Sequence, residues 1–228
     1  MIGIANATLK KLYTIVGKPT TNNSKMTDTL CFNTTPARCT TGSKLRGDKS
    51  KVCSKCYSLL LIKFRRVVAE AYQRNYELLT EAMRNYSIER VAEILASIVY
   101  RKGKRKVRIK DGGDAVNKDE FKVWAFVALM CRDSVFWMPT KEHEWARAYL
   151  DEYRLPSNMV IRVSMHGIDE KPSKEFTHTS VVYNQHNFDT CKETRGRKKC
   201  PAKQQDNACL DCEWCWDPAV KTVVYPLT

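Results

Sequence analysis

Near the C-terminus, Cys209, Cys212 and Cys215 recur with two residues between each, and Cys200 stands upstream with Pro201 behind it. A Cys-x2-Cys-x2-Cys run wraps three thiolates and their backbone NH groups around one point, as an iron–sulfur cluster needs. Bacterial ferredoxins use the same step and follow their remote cysteine with proline. Zinc is more often met by separate Cys-x2-Cys pairs, because four tetrahedral ligands are easily supplied two by two. A 4Fe–4S cluster on Cys200, Cys209, Cys212 and Cys215 is therefore the expectation, with zinc the alternative. Cys39 and Cys53-x2-Cys56 repeat the theme near the other end. Cys31, Cys131 and Cys191 have no evident partner, and Cys131 lies on an apolar stretch that reads as core.

A second constellation depends on where strands end. Lys106–Asp111, Val135–Thr140, Met159–His166 and Ser180–Tyr183 read as strands, separated early on by helical patterns at Lys118–Arg132 and Glu142–Arg154. That βαβαβ order implies a parallel sheet with right-handed crossovers, and such sheets bind ligands at their carboxyl ends. The ends here deliver Asp111-Gly112-Gly113-Asp114, Thr140-Lys141-Glu142 and Ser164-Met165-His166. Two glycines between two aspartates allow a tight turn that leaves both carboxylates near one opening. An ordinary turn before a helix would look the same. Asp111, Asp114 and His166 are the candidate general acids or bases, and Lys141 the candidate anion binder. His143, His178 and His186 have no ligand spacing and read as surface residues.

The strands alternate. Val107 and Ile109 interleave with Arg108 and Lys110, and Ile161, Val163 and Met165 with Arg162, Ser164 and His166. Parallel strands covered on both faces usually read as continuous apolar runs, so one face should line a wet cavity, as in a partial barrel. A solvent-facing edge strand explains one such pattern less readily than two. Upstream, Leu59 to about Met83 reads as one long helix, and Ser87 should cap another. Lys221–Tyr225 reads as a short terminal strand. The expected organisation is a single α/β domain over residues 1–228, with a parallel sheet or partial (β/α) barrel. Cysteine-bearing loop extensions at 1–58 and 191–228 should pack on it, bringing Cys53 and Cys56 close to the C-terminal cysteines. Trp214 and Trp216 flank Cys215 and should shield a metal there, though simple packing would look identical.

Composition narrows the classes. Of 228 residues, 43% are hydrophobic, enough for a core. No apolar run approaches a bilayer span, and the first ten residues lack a secretory pattern, so no membrane or secretion partner is expected. In a reducing cytosol ten cysteines read better as ligands than as disulfides. The net charge of +14 is concentrated at Arg101–Lys106 and Arg195–Lys199. Such runs are solvated loops or attract phosphates and anionic small molecules. The second run abuts Cys200, where cations would offset a thiolate-bound cluster.

Several segments together resemble the phage gene product 88 family over roughly residues 25–225. They are Cys39-Thr-Thr-Gly-Ser-Lys-Leu-Arg46, Val52-Cys-Ser-Lys-Cys-Tyr57, Arg108-Ile-Lys-Asp-Gly-Gly-Asp114, Phe136-Trp-Met-Pro-Thr-Lys-Glu142, Arg162-Val-Ser-Met-His166 and the Cys200-to-Asp217 cysteine run. The resemblance implies a viral origin and seven metal ligands: Cys39, Cys53, Cys56, Cys200, Cys209, Cys212 and Cys215. It implies no established reaction, and Lys110 stands where the family pattern leads one to expect histidine. Host cytoplasm, with virion association as an alternative, is the implied location. The fold reading also looks like a partial radical-SAM barrel. The Cys-x3-Cys-x2-Cys signature of those enzymes is missing, so S-adenosylmethionine chemistry does not follow.

Three functions compete. The first is an iron–sulfur enzyme: a cluster held by three thiolates leaves one iron open as a Lewis acid toward a substrate oxygen, which suits hydrolysis or hydration, whereas a fully ligated cluster suits electron transfer. The second is a zinc-stapled nucleic-acid-binding protein, which the charge favours. The third is a structural or virion-associated protein whose metal ties the two termini together.

Overall fold

A computed structural model describes residues 4–21 and 25–227. Along the chain run α1 (Leu9–Val16), β1 (Thr29–Phe32), α2 (Thr40–Leu45), α3 (Tyr57–Phe64), α4 (Arg66–Asn85), α5 (Ile88–Lys102), β2 (Lys106–Ile109) and α6 (Glu120–Met130). There follow β3 (Val135–Thr140), α7 (His143–Glu152), β4 (Met159–Ile168), β5 (Thr179–Tyr183), α8 (Gln185–Thr190), β6 (Arg197–Lys199) and β7 (Thr222–Pro226). The strands form one seven-stranded sheet in the order β1-β2-β3-β4-β5-β7-β6, and every strand pairing in it is parallel. The protein is thus α/β with a parallel sheet, and the sheet is not closed into a barrel.

Because the order climbs steadily from β1 to β5, crossovers of one hand deposit their helices on one face. That face carries the main core: Leu30 and Phe32 of β1, Val107 and Ile109 of β2, Phe136 and Met138 of β3, and Ile161 and Val163 of β4 pack with residues of α5 and α6. The opposite face carries Cys31, Arg108, Trp137 and Arg162. It is covered by the C-terminal segment, where Trp216 packs edge-on against Trp137 at 5.0 Å in a small cluster with Met26 and Cys31.

The βαβ middle of the chain matches its periodicity, and Ser87 caps α5 by accepting from Arg90 N at 3.2 Å. Three expectations are corrected. Residues 1–58 are not mainly loops, since α1 is capped by Thr8 and β1 forms an edge of the sheet. The basic run near Cys200 is partly the other edge strand, β6, a position where lysines discourage further pairing. The long helix splits at Arg65, whose backbone leaves the helical region (φ −124°, ψ 83°). α3 and α4 both reach the Asp111–Gly112 turn, through Ser58 and Tyr72, and α4 also packs on α1. No described helix is long and apolar enough to cross a membrane.

Lys110 ends β2 in the left-handed region (φ 70°) and turns its ammonium to Glu120, 2.9 Å away, with both side chains buried. Glu120 also accepts from Val116 N (2.7 Å) and Trp124 Nε1 (2.9 Å), so the pair ties the start of α6 to the sheet. Removing one partner strands a buried charge. Glu120→Ala should therefore lower unfolding free energy in urea by roughly 3–5 kcal/mol, and Lys110→Met/Glu120→Gln by less.

Candidate functional site

The Asp111–Asp114 turn is pressed into a tight space. Asn33 Oδ1 accepts from the amides of Asp111 (2.7 Å) and Gly112 (3.1 Å). A Cβ on Gly112 would lie 2.6 Å from both Ser58 Oγ and Tyr72 Cε2. Gly113 has φ +86°, and a Cβ there would run into Thr34. The two glycines are thus demanded by the packing of β1's exit, α3 and α4 around the turn.

The turn does not leave its carboxylates facing one opening. Asp111 pairs with Arg108 Nη1 (2.6 Å) and accepts from the Tyr57 hydroxyl (2.9 Å). Tyr57 keeps half its surface exposed, yet its hydroxyl is tucked in at Asp111, and burial raises its pKa. Asp114 turns the other way. Its carboxylate accepts from Ala115 N, Thr140 Oγ1 and Lys141 N, each at 2.8 Å. Burial pushes its pKa up to about 6 against the pull of those donors.

Lys141 is the hub of the strand ends. Its amide bonds Asp114, its carbonyl is 2.9 Å from His166 Nε2, and its ammonium donates to Met165 O at 3.2 Å. His143 reaches Ser164 O at 2.9 Å and stacks on His166 with ring centroids 3.9 Å apart, so it is not the surface residue expected. Because both Nε2 atoms face carbonyls, both donate there. Asp114, Lys141 and His166 therefore converge, and Asp111 lies at the same end of the sheet. Much of their hydrogen-bonding capacity is spent on holding loops.

The expected wet face is closed at its centre. Arg162 is fully buried, donating to Thr179 O (3.2 Å), Val220 O (3.1 Å) and Trp214 O (3.1 Å). Alternation on β4 marks a plug of backbone carbonyls there rather than a water-filled lumen.

The cysteines fall into two groups with different neighbours, and none of the ten is joined in a disulfide. Cys39 ends a 3-10 turn (Pro36–Arg38) just before α2, Cys53 lies in another (Val52–Lys55), and Cys56 precedes α3. A Cβ on buried Gly42 would lie 3.0 Å from Cys39 Cβ and 3.6 Å from Cys53 Sγ, so glycine lets these thiols approach. Burial raises the pKa of Cys39 and Cys53. Asp114 and the neighbouring thiols add to the rise, while Arg46 opposes it on both and Lys141 on Cys53. Glu142, named at a strand end but given no role from sequence, accepts from Thr41 N (2.9 Å) and Thr41 Oγ1 (2.6 Å), tying α2 to the end of β3. Ile168 N donates to Ser50 O (2.8 Å), so the loop between Cys39 and Cys53 is sewn to β4.

The C-terminal four sit elsewhere. Cys200 N donates to Val224 O (2.8 Å), Cys209 N to Lys25 O (2.7 Å), and Cys212 N to Cys209 O (2.8 Å). Cys215 Sγ is 3.0 Å from Tyr225 Oη, and burial pushes its thiol up to about 12. Cys200 and the other three influence one another, and Lys25, Lys106, Arg108 and Arg162 act on them as neighbouring cations. Trp216 is core packing beside this group, and Trp214 lies under Lys198 at 5.5 Å. Among the described residues, no three His, Cys, Asp or Glu side chains already stand where they could hold a single metal ion. Cys200, Cys209, Cys212 and Cys215 are half-buried, with cationic side chains nearby.

A parallel sheet with all its crossover helices on one face, and cysteine-bearing segments at both ends of the chain, defines the class. Residues 10–218 match the gene product 88 family, and the chain belongs to that family, which supports a viral origin. No curated protein and no solved structure matches the chain.

Asp114 gives a pH test. A carboxyl whose pKa is raised on folding contributes stability below its unfolded value near 3.8, and that contribution is lost as pH rises through about 6. Urea unfolding at pH 4.5 and pH 7 should show wild type losing stability relative to Asp114→Asn over this interval.

Proposed function

We propose that the chain is an iron–sulfur protein with two thiolate centres. Cys200, Cys209, Cys212 and Cys215 hold a 4Fe–4S cluster, and Cys39, Cys53 and Cys56 hold a second centre with one position not filled by cysteine. The observation that carries this reading is that Cys200 interacts with each of Cys209, Cys212 and Cys215, beside Lys25, Lys106, Arg108 and Arg162. Cations beside a thiolate-bound cluster offset its negative charge. Tyr225 supports the same reading, since a phenol 3.0 Å from Cys215 Sγ can donate to a thiolate.

The three N-terminal thiols stand at the strand ends, where ligands of parallel sheets bind. A metal centre there supplies a Lewis-acidic position toward a substrate oxygen. The chain's own groups would do the rest. Lys141, whose pKa burial lowers against the pull of Cys53, Asp114 and Cys56, would donate to an anionic small molecule. Asp114 and His166 fix the Lys141 backbone on either side. They act on position rather than as free acids or bases, so the hydrolase reading leans on Lys141 and the open position.

Anaerobically purified protein should be brown, with about four iron and four sulfide assigned to the C-terminal centre. Cys212→Ser should remove that absorption, and Cys53→Ser should remove only iron in excess of it. Colourless protein with stoichiometric zinc would overturn the proposal and leave the zinc-stapled nucleic-acid-binding alternative.

A further inference from the structure

A segment rich in cations runs along the carboxyl ends of the strands, and the site described above uses none of its exposed charge. Three contacts fix its course. Thr41 is bonded to Glu142 just past β3, Ile168 at the end of β4 donates to Ser50 O at 2.8 Å, and the Tyr57 hydroxyl lies 2.9 Å from the Asp111 carboxylate just past β2. Residues 41–57 therefore cross the ends of three neighbouring strands, each about 5 Å from the next. α3 then extends from Tyr57 for about 12 Å.

The charge on this segment is one-sided. Between Ala37 and Ala69 nine lysines and arginines meet a single carboxylate, Asp48. Asp48 is already engaged, accepting from Ser50 N (2.9 Å) and Ser50 Oγ (2.7 Å). Arg46 is turned to Pro36 O, Arg66 pairs with Glu70, and Lys51 is half-buried. The other six, Arg38, Lys44, Lys49, Lys55, Lys63 and Arg65, are exposed. None of the six has a carboxylate partner among the described residues. Cations gathered without anions raise a positive potential over the face that carries them.

The spread of the charge and the rings beside it say what the anion is. Six cations strung along a segment cannot share one small anion, whereas a chain of phosphates meets them in turn. Tyr57 and Phe64 stand at the two ends of α3, 52% and 73% exposed. Seven residues apart on one unbroken helix, they share a side and lie about 10 Å from each other. The hydroxyl bond to Asp111 holds Tyr57 in place, and Lys63 Nζ is 5.8 Å from the Phe64 ring. Rings set among phosphate-binding cations suit unpaired bases, which stack on them; the bases of a duplex are already stacked on one another. A second copy of the chain would bring two basic faces together and be repelled. We propose that this face binds single-stranded nucleic acid, with phosphates along the six cations and bases on Tyr57 and Phe64. The inference goes beyond the proposed function and holds whichever metal the thiols bind.

Fluorescence anisotropy of a labelled oligo(dT) titrated with the full chain tests this. Between about 50 and 200 mM salt, affinity should fall with a log–log slope of about −4, as six neutralised phosphates on a single strand require. A duplex of the same length should bind more weakly. Lys44→Ala/Lys49→Ala should flatten the slope by about 1.4. Arg132→Ala/Arg154→Ala removes the same charge from exposed positions before β3 and β4, at the other end of the strands, and should leave the slope unchanged. Phe64→Ala should weaken binding about tenfold at every salt concentration and keep the slope. All five replaced side chains are exposed, so far-UV circular dichroism should match wild type. No wild-type binding at about 50 mM salt, or duplex binding as tight as the single strand, would overturn the proposal without recourse to any variant. So would equal losses from the two charge pairs, unchanged binding by Phe64→Ala, or binding to anionic phospholipid vesicles in place of the oligonucleotide.

Discussion

Winding a parallel sheet steadily in one direction places every crossover helix on the same face, and the rest of the structure answers to that imbalance. The helix face buries its apolar residues against α5 and α6 in the ordinary way. The other face has no helix to receive it, yet its Trp137 and Cys31 must leave water. The chain solves this with its ends. Residues near Met26 come from one side and Trp216 from the other, and Trp216 Nε1 donates to Val107 O at 3.0 Å. Arg162 completes the closure, because a guanidinium has donors enough to gather the carbonyls of a loop that has no ladder of its own.

The strand ends follow a related logic. Three loops and α2 converge there, and each carries backbone groups that no sheet neighbour can satisfy. Asn33, Asp114, Glu142, His143 and His166 satisfy them one by one. Polar side chains at the ends of parallel strands are commonly read as catalytic, and here most do positional work first. What they position is the trio of thiols and the Lys141 ammonium. Gly42, Gly112 and Gly113 are where backbone must come closest, which is why side chains are absent at those points.

Much of this was legible in the residues. The βαβ core showed because β3, α6 and β4 have clear periods, and the sheet direction followed from their alternation. β1 was not legible: four residues, Thr-Leu-Cys-Phe, buried on both sides, give no period to count. β6 was hidden because Arg197, Lys198 and Lys199 resemble a solvated run, and only its pairing with β7 makes it a strand. Arg162 misled in a different way. Alternation on β4 signalled a polar face correctly, but a fully buried arginine is uncommon, so water was the natural inference. His143 carried no spacing signal, since its partner His166 lies on another element. The exposure of α3's apolar residues was not legible, because a sequence period tells which residues share a side, not whether anything covers that side.

The C-terminal segment is the hardest part to account for by packing alone. From Lys192 to Lys221 the buried apolar residues are Ala202, Trp216 and Val220. Over the same stretch Asp206, Asn207 and Leu210 adopt left-handed backbone, a conformation that costs a branched residue such as leucine free energy. So little burial offsets little of the entropy lost in ordering about thirty residues. A centre on Cys200, Cys209, Cys212 and Cys215, as proposed above, would offer the missing term, since ligation would fix distant points of the chain at once and its binding free energy would become folding free energy. The cations, Tyr225 and the two tryptophans then surround the thiols because that is where the segment is pinned. On the proposed reading, a C-terminal centre would be structural before it is anything else.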